Sequence, residues 1–178
     1  MIIEYYHASR FGNGAKVAEE FRRQSALLGA TVNVHHIRDA DPKNLPPADL
    51  YLFSSPGQWG KPIKKVRRFL SELDLPPGSR CAVLTTELAP RPDKKTGALP
   101  SAEEQAKWQR VRPIMSELLE EAGLIEVAED KILVTEIRGP LEEGWEAKVQ
   151  DFAYDLGVQA PQPVELNAES VSAISTTT

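Results

Sequence analysis

The sequence has little of several features that mark common classes of protein. It has one cysteine, so an internal disulfide is excluded, and the apolar run around Cys81 indicates a buried core thiol rather than a nucleophile. No apolar run approaches the roughly 18–20 residues that span a membrane, and Glu4 interrupts what would otherwise begin a secretory signal. The net charge of −5 gives no support to nucleic-acid binding. We therefore expect a cytoplasmic protein with no membrane span and no nucleic-acid partner.

Sequence motifs for several kinds of catalytic or metal site are also missing. The chain has neither a G-x-S-x-G elbow nor a P-loop lysine pattern. His35 and His36 are adjacent on a predicted strand, where neighbouring side chains point to opposite faces and cannot chelate one ion. We predict no metal site. His7, at the end of the first strand, is a candidate for a hydrogen bond to a ligand or to the backbone.

The pattern along the chain predicts strands alternating with helices. Predicted strands lie at 2–6, 31–37, 49–53, 80–86 and 132–134, the last with a short preceding piece at 125–127. Predicted helices lie at 15–28, at 62–73, from Ser101 with a break at Pro113, and from Pro140 to about Leu156. This alternation is typical of an α/β fold with a doubly wound parallel sheet. One domain is expected over residues 1–157, and the Pro-, Gln-, Ser- and Thr-rich residues 158–178 predict a flexible tail.

Three loops follow predicted strands at the sheet edge where such folds bind ligands, namely Ser9–Gly14, Ser54–Gly60 and Glu87–Pro100. The first joins a strand to a helix, where unpaired N–H groups and the helix dipole favour an anion. Gly12 and Gly14 let the backbone approach a ligand closely, and Ser9 and Asn13 add side-chain donors. A phosphate is the natural guest. The alternative is an ordinary strand-to-helix turn that binds nothing.

Two of these loops carry a family resemblance. Ser9, Gly12 and Asn13 match the flavodoxin phosphate loop, whose usual form is a hydroxyl residue, two further residues, Gly, Asn and a hydroxyl residue. The loop Ser54–Gly60 resembles the flavodoxin loop that places an aromatic ring on the flavin, with Trp59 in the aromatic position. From residue 1 to about 157 the chain resembles the flavodoxin family. The resemblance implies a five-stranded flavodoxin-like sheet of order 2-1-3-4-5 and FMN as cofactor.

The resemblance also implies which residues hold the cofactor, and none of them is expected to be catalytic because the flavin carries the chemistry. Backbone groups of the third loop touch the ring edge, and one ring face lies on Trp59, whose alternative role is an anchored core aromatic. The predicted FMN-binding residues are Ser9, Arg10, Phe11, Gly12, Asn13 and Gly14 around the phosphate, Ser55, Pro56, Gly57, Gln58, Trp59 and Gly60 in the second loop, and Thr85, Thr86 and Glu87 in the third.

The sequence departs from the flavodoxin pattern in ways that bear on function. Arg10, Phe11 and Gly14 replace hydroxyl residues, which removes phosphate hydrogen bonds worth about 1–3 kcal/mol each. The third loop is long and offers no aromatic, so one flavin face is expected to be open to a substrate or hydride donor. A positive rim is predicted, with a solvated helix face as the alternative for its first part; its members are Lys61, Lys64, Lys65, Arg67 and Arg68, and then Arg91, Lys94 and Lys95.

The expected function is that of an FMN-binding electron-transfer protein or oxidoreductase. Its expected partner is a redox protein, a quinone or NAD(P)H, so an FMN-dependent NAD(P)H or quinone oxidoreductase and a one-electron shuttle both stay open. One alternative is a flavodoxin fold that has lost flavin and serves as a binding or scaffold module. Another is a different doubly wound domain such as a phospho-receiver, which is disfavoured because Glu4 is the only acidic residue in or near the first strand.

Overall fold

Apolar side chains on both faces of the first and third strands determine the architecture. The structure is a computed structural model that describes residues 1–158. Its elements in chain order are β1 Ile2–His7, α1 Asn13–Leu27, β2 Thr31–His36, a 3₁₀ turn Ile37–Asp39, β3 Leu50–Ser54, β4 Gly57–Gln58, β5 Lys61–Pro62, α2 Lys64–Ser71, β6 Arg80–Leu88, α3 Ala102–Trp108, α4 Val111–Glu121, β7 Ile125–Val134 and α5 Trp145–Asp155.

Five of the strands form one parallel sheet in the order β2-β1-β3-β6-β7. β1 lies inside the sheet, where Tyr5 is opposite Val34 on β2 and Leu52 on β3. If only the sheet strands are counted along the chain, this is the order 2-1-3-4-5. The predicted fold class and strand order are therefore confirmed.

The two faces of the sheet carry separate apolar layers. Odd-numbered residues of β1 face α1 and α5, where the ring of Tyr5 meets Phe21 edge-on at 5.5 Å between centroids. Even-numbered residues face α2 and α4, where Tyr6 packs against Phe53 and Phe69. Cys81 is fully buried in this second layer, and burial raises the pKa of its thiol to about 12. The core thiol predicted from the sequence is thus confirmed.

The segment after β7 differs from the prediction, because Pro140 does not open a helix. The N–H of Thr135 donates to the carbonyl oxygen of Pro140 at 2.9 Å, and the N–H of Glu142 donates to that of Leu133 at 2.9 Å. These bonds fold residues 135–144 back along the end of β7, and α5 begins only after Gly144. A fourth loop therefore stands at the ligand-binding edge of the sheet.

Other element boundaries also differ from the predicted ones, for local reasons. β7 is one continuous strand of ten residues, because it pairs with β6 from Ile125 to Val134 with one bulge at Val127. β6 extends two residues beyond the predicted strand 80–86, to Leu88, so Glu87 lies in a strand instead of a loop. The predicted break in the helix after Ser101 occurs at residues 109–110. Pro113 sits in the first turn of α4, where its missing N–H leaves no helical bond unmade.

The C-terminal end of the described chain is packed against the first layer, since Val158 is fully buried there. The rest of the predicted tail, 159–178, lies outside the described residues. Within residues 1–158, no helix has the length and apolar character needed to cross a membrane, and no group of three His, Cys, Asp or Glu side chains could hold a metal ion.

Candidate functional site

The main cavity of the protein opens at the carboxyl ends of the parallel strands and has a volume of about 740 Å³. Loops after β1, β3, β6 and β7 contribute to its wall, as expected for a doubly wound sheet. Ten of the residues predicted to bind a cofactor line it: Ser9, Arg10, Phe11, Asn13, Gly14, Pro56, Gly57, Gln58, Trp59 and Thr86. The lining residues that the sequence did not predict as cofactor contacts are Ile63, Leu88, Arg91, Val134, Glu136, Ile137 and Arg138.

Five predicted cofactor contacts do not line the cavity, and the structure gives several of them other roles. The hydroxyl of Ser55 accepts the N–H of Ile63 at 3.2 Å and braces the second loop. Thr85 donates its hydroxyl to Glu87 at 2.8 Å, and Glu87 also accepts from Arg112 of α4 at 3.3 Å. These two side chains therefore point to the α4 side of the sheet. The remaining two, Gly12 and Gly60, shape their loops.

The first loop has the features of an anion site. Gly12 stands at the start of α1 with φ +88°, no side chain caps this helix end, and its first turn contains no acidic residue. The helix N–H groups are therefore available to a ligand. The loop is also tight, because a Cβ added at Gly14 would lie 2.9 Å from the carbonyl oxygen of Ala8. Within this turn the hydroxyl of Ser9 is buried with no hydrogen-bond partner in the described structure.

Two guanidinium groups lie over the ring of Phe11 beside this loop. The Cζ atom of Arg10 is 5.3 Å from the ring centroid, and that of Arg138, in the loop after β7, is 5.7 Å away. The ring itself is 42% exposed. Such cation–π contacts hold each charge near the cavity mouth. The sequence did not predict Arg138 as a site residue, because the helix predicted from Pro140 onward leaves no fourth loop at this edge of the sheet.

The second loop is a small antiparallel hairpin, in which β4 and β5 are joined by Trp59 and Gly60. Trp59 has φ +53° and Gly60 has φ +71°, the positive values that a type I′ turn requires at its two central positions. A non-glycine residue in this region is strained by about 1–3 kcal/mol. Trp59 is also 93% exposed, so it is not the anchored core aromatic of the alternative interpretation.

The junction between α3 and α4 packs against the tip of this hairpin. The N–H of Arg110 donates to the carbonyl oxygen of Gly60 at 2.6 Å, and a Cβ at Gly60 would lie 1.8 Å from the carbonyl oxygen of Trp108. Glycine is therefore required there by close backbone approach. A second cavity of about 320 Å³ lies beside Trp59 and is lined also by Trp108 and Leu88. Trp108 was not predicted, although a tryptophan that follows the mostly polar and charged run Glu103–Lys107 could have marked it.

The charged residues of the main cavity are Arg10, Arg91, Arg138 and Glu136. α2 contributes none, so the solvated-face alternative describes the basic residues of that helix. Arg68 pairs with Glu72 at 2.9 Å, and Arg67 donates to the carbonyl oxygen of Pro62. The positive charge at the site therefore comes from the first, third and fourth loops.

None of the three histidines, His7, His35 and His36, lines the main cavity. His7 is buried with its Nδ1 atom unpaired, its ring meets that of His36, and burial together with the charge of His36 lowers its pKa. His35 lies on the other face of β2, where its Nε2 atom is 2.6 Å from the carboxylate of Glu4. The two adjacent histidines thus face opposite sides of the sheet, as predicted.

Comparison with known proteins identifies the fold of this chain. No family model and no curated protein matches the sequence. Among solved structures, flavodoxin 2 from Bacillus cereus matches with a TM-score of 0.65 and 20% identity over 88% of this chain and 98% of that chain. Flavodoxin 1 from Bacillus cereus matches with a TM-score of 0.65 and 17% identity over 88% and 97% of the two chains.

A larger redox protein contains the same architecture in part of its length. The rubredoxin oxygen:oxidoreductase from Desulfovibrio gigas matches with a TM-score of 0.59 and 11% identity, over 88% of this chain and 35% of that chain. At these identities the likeness concerns the backbone arrangement. Together with the strand order, it shows that residues 1–158 adopt the flavodoxin-like fold.

Proposed function

We propose that this protein binds FMN in the main cavity and takes part in electron transfer. The observation that carries the proposal is the hydroxyl of Ser9, which is buried without a partner beside an uncapped helix end. An unsatisfied buried hydroxyl costs free energy unless a ligand completes its hydrogen bonding. A phosphate at this position would accept from Ser9 and from the N–H groups at the start of α1. The residues present therefore fit the phosphate end of FMN.

The opposite side of the cavity fits a flat aromatic ring. Trp59 is held out from the hairpin in a strained backbone conformation and buries almost nothing of its own ring. Strain of this kind persists where a side chain serves a ligand, and an indole stacks well on a flat, polarizable ring. Thr86, near the end of β6, lines the cavity between the first loop and Trp59. Its backbone N–H donates to the carbonyl oxygen of Ser55 at 3.2 Å, so we expect its other atoms to meet the edge of the ring. FMN supplies hydride or single-electron transfer when bound, and the protein binds and orients it.

The residues that replace the usual hydroxyls retain means of binding phosphate. Gly14 keeps its backbone N–H, and Arg10 brings a guanidinium to the cavity wall. A charged donor compensates for a lost neutral one, because hydrogen bonds between ionised groups are roughly twice as strong. We therefore expect direct contact with FMN from the ten predicted residues that line the cavity, through the backbone at Gly14 and Gly57. The other five predicted residues would act by shaping the loops and the strand around the ligand.

The site is compatible with more than one kind of physiological electron-transfer partner. The exposed tip of Trp59 and the open cavity mouth suit either a redox protein or a small electron donor such as NAD(P)H or a quinone. An FMN-dependent oxidoreductase and a one-electron shuttle are both compatible with this site. The reducing cytoplasm expected from the single cysteine stays a prediction.

A second candidate function is a binding or scaffold module without flavin. The observation that favours it is Phe11, an exposed apolar ring where flavodoxins usually carry a hydroxyl residue. If Phe11 and Arg10 occupy the space of the phosphate, the cavity would serve another ligand or a protein.

FMN titration of the purified protein distinguishes the two candidates. We expect the flavin fluorescence and the tryptophan fluorescence to be quenched on binding, with visible absorbance bands of oxidised flavin in the complex. Riboflavin, which lacks the phosphate, is the matched ligand and is expected to bind at least tenfold more weakly, about the effect of losing one strong charged contact. A colourless protein that ignores FMN at high concentration would support the scaffold function instead.

A further inference from the structure

Three arginines of the main cavity have no ion-pair or hydrogen-bond partner for their guanidinium groups within residues 1–158. Arg10, Arg91 and Arg138 form no ion pair and no side-chain hydrogen bond there. Every other described arginine except Arg80 donates to a carboxylate or to a carbonyl oxygen. Arg80 lies at the start of β6, at the opposite edge of the sheet. Unpaired arginines are therefore concentrated at the cavity.

The three arginines reach the cavity from different loops, after β1, β6 and β7. Arg10 and Arg138 both lie over the ring of Phe11, which partly offsets the repulsion between their charges. Glu136 is the one acidic residue among the lining residues, and it forms no ion pair with them in the described structure. A concave site with this excess of positive charge favours an anionic ligand.

The chemistry of the cluster indicates what kind of anion it would bind. Guanidinium groups bind phosphate oxygens through two parallel hydrogen bonds. Resting on the proposed FMN function, in which Ser9 and the start of α1 take the flavin phosphate, we propose that Arg91 and Arg138 form a second subsite, which would bind the phosphates of a nucleotide. The nucleotide class that fits is a pyridine dinucleotide, because its nicotinamide ring exchanges hydride with a flavin bound beside the subsite.

A small ligand fits these charges better than an acidic protein surface does. The three arginines line a concave cavity, the kind of surface that binds small ligands. Lys94 and Lys95, which are exposed on the same loop as Arg91, do not line it. An acidic protein would meet those outer lysines first, whereas a nucleotide can enter and meet the arginines.

The test is calorimetric titration of the FMN-loaded protein with NADP⁺, an oxidised probe whose binding can be measured without turnover. We expect binding that weakens as salt is added, because phosphate contacts are screened. R91Q and R138Q should each weaken NADP⁺ binding about tenfold, the effect of losing one charge-assisted contact. R80Q is the matched control, since Arg80 is unpaired but distant, and it should bind NADP⁺ like the unaltered protein.

Several results would overturn the inference. These are no NADP⁺ binding at millimolar concentration, unchanged binding in both R91Q and R138Q, or arginine-dependent binding of polyglutamate in place of NADP⁺. FMN titration of the same variants separates this inference from the proposed function, because the NADP⁺ titrations are then made on protein that is saturated with FMN. If the protein binds no FMN, the proposed function fails, and the NADP⁺ titration of the flavin-free protein still decides whether the nucleotide subsite exists.

Discussion

The hydroxyl of Ser9 is the side-chain group that most directly tests the proposed phosphate site. Its hydroxyl forms no hydrogen bond in the described structure, so Ser9→Ala removes nothing that stabilises the folded chain. We expect the free energy of unfolding without ligand to stay the same or to rise by up to about 1 kcal/mol, because a buried hydroxyl with no partner is removed. FMN affinity should fall about tenfold, because a bond to a charged phosphate is lost. Urea unfolding and FMN titration measure the two effects.

The control for Ser9 is Ser25, whose hydroxyl is also buried and unpaired but lies on α1 away from the cavity. Ser25→Ala should leave FMN affinity unchanged. Riboflavin affinity should be the same with and without the Ser9 hydroxyl. Equal losses for FMN and riboflavin would contradict the role of Ser9 in phosphate binding, since the defect would then lie elsewhere in the cavity.

We expect Trp59 to lower the stability of the folded protein and to strengthen the binding of FMN. Asn-Gly is the preferred pair at the centre of a type I′ turn, so Trp59→Asn relieves backbone strain and gives up little packing. The free energy of unfolding should rise by about 1 kcal/mol, while FMN affinity falls about tenfold through the lost stacking. Thermal unfolding without ligand and FMN titration give the two readouts.

Trp108→Gln is the matched change on the neighbouring cavity. Trp108 ends α3 and is not among the described residues with positive φ, so its replacement relieves no strain. This variant should show no gain in stability. If Trp59→Asn destabilises the protein or leaves FMN binding intact, then Trp59 is a structural residue of the hairpin.

At the scale of elements, α3 is an independent, weakly held unit. It buries no side chain, and its N-terminus is stabilised by a capping box between Ser101 and Glu104. A helix of seven residues is marginal by itself, and loss of an N-cap costs about 1 kcal/mol. Ser101→Ala should therefore speed amide exchange in residues 102–108 about fivefold, with no change in the melting temperature of the whole protein.

Ser71 provides the comparison for Ser101, because its exposed hydroxyl donates to the carbonyl oxygen of Arg68 at the end of α2 and caps no helix start. Ser71→Ala should leave exchange in 102–108 unchanged. A fall of several degrees in the melting temperature of Ser101→Ala would show that α3 unfolds together with the core.

The elements also show what the sequence could and could not predict. β1 and β3 were predicted to within a residue at each end, because their apolar runs end at loops. The hairpin was missed, since strands of two residues carry no periodicity. Pro140 was read as a helix start, but hydrogen bonds to the end of β7, which are invisible in a local pattern, hold it in a loop. Arg138 was left out of the predicted site because it lies in this same loop.

For the whole molecule, the predictable part of the site follows from topology. Once strands and helices alternate, loops after β1, β3 and β6 must meet at one edge, and ten predicted residues do line one cavity there. Side-chain direction was less predictable. Thr85 and Glu87 face α4 because of a one-residue alternation along β6, and the sequence offered no way to choose between the two faces.

The pH dependence of folding is a property of the whole molecule that His7 should influence. Burial lowers the pKa of His7 in the folded state, so the unfolded chain takes up a proton more readily as the pH falls. The stability of the folded state is unaffected above the unfolded pKa of about 6.5, and it falls as the pH drops from that value towards the lowered pKa of the folded state. His36, whose pKa is lowered by burial and by Arg38, acts in the same direction.

Replacing His7 by a residue that does not titrate isolates its contribution. Between pH 7.5 and pH 5.5 the original protein should lose more stability than His7→Gln does, because the variant has one proton fewer to take up on unfolding. Burial raises the pKa of the Glu126 carboxyl and gives a pH trend of the opposite sign, but that trend is the same in both proteins and cancels in the comparison. Urea unfolding at several pH values measures the difference. Equal slopes for the two proteins would mean that His7 titrates alike in the folded and unfolded states, and that its unpaired Nδ1 atom meets solvent on the timescale of protonation.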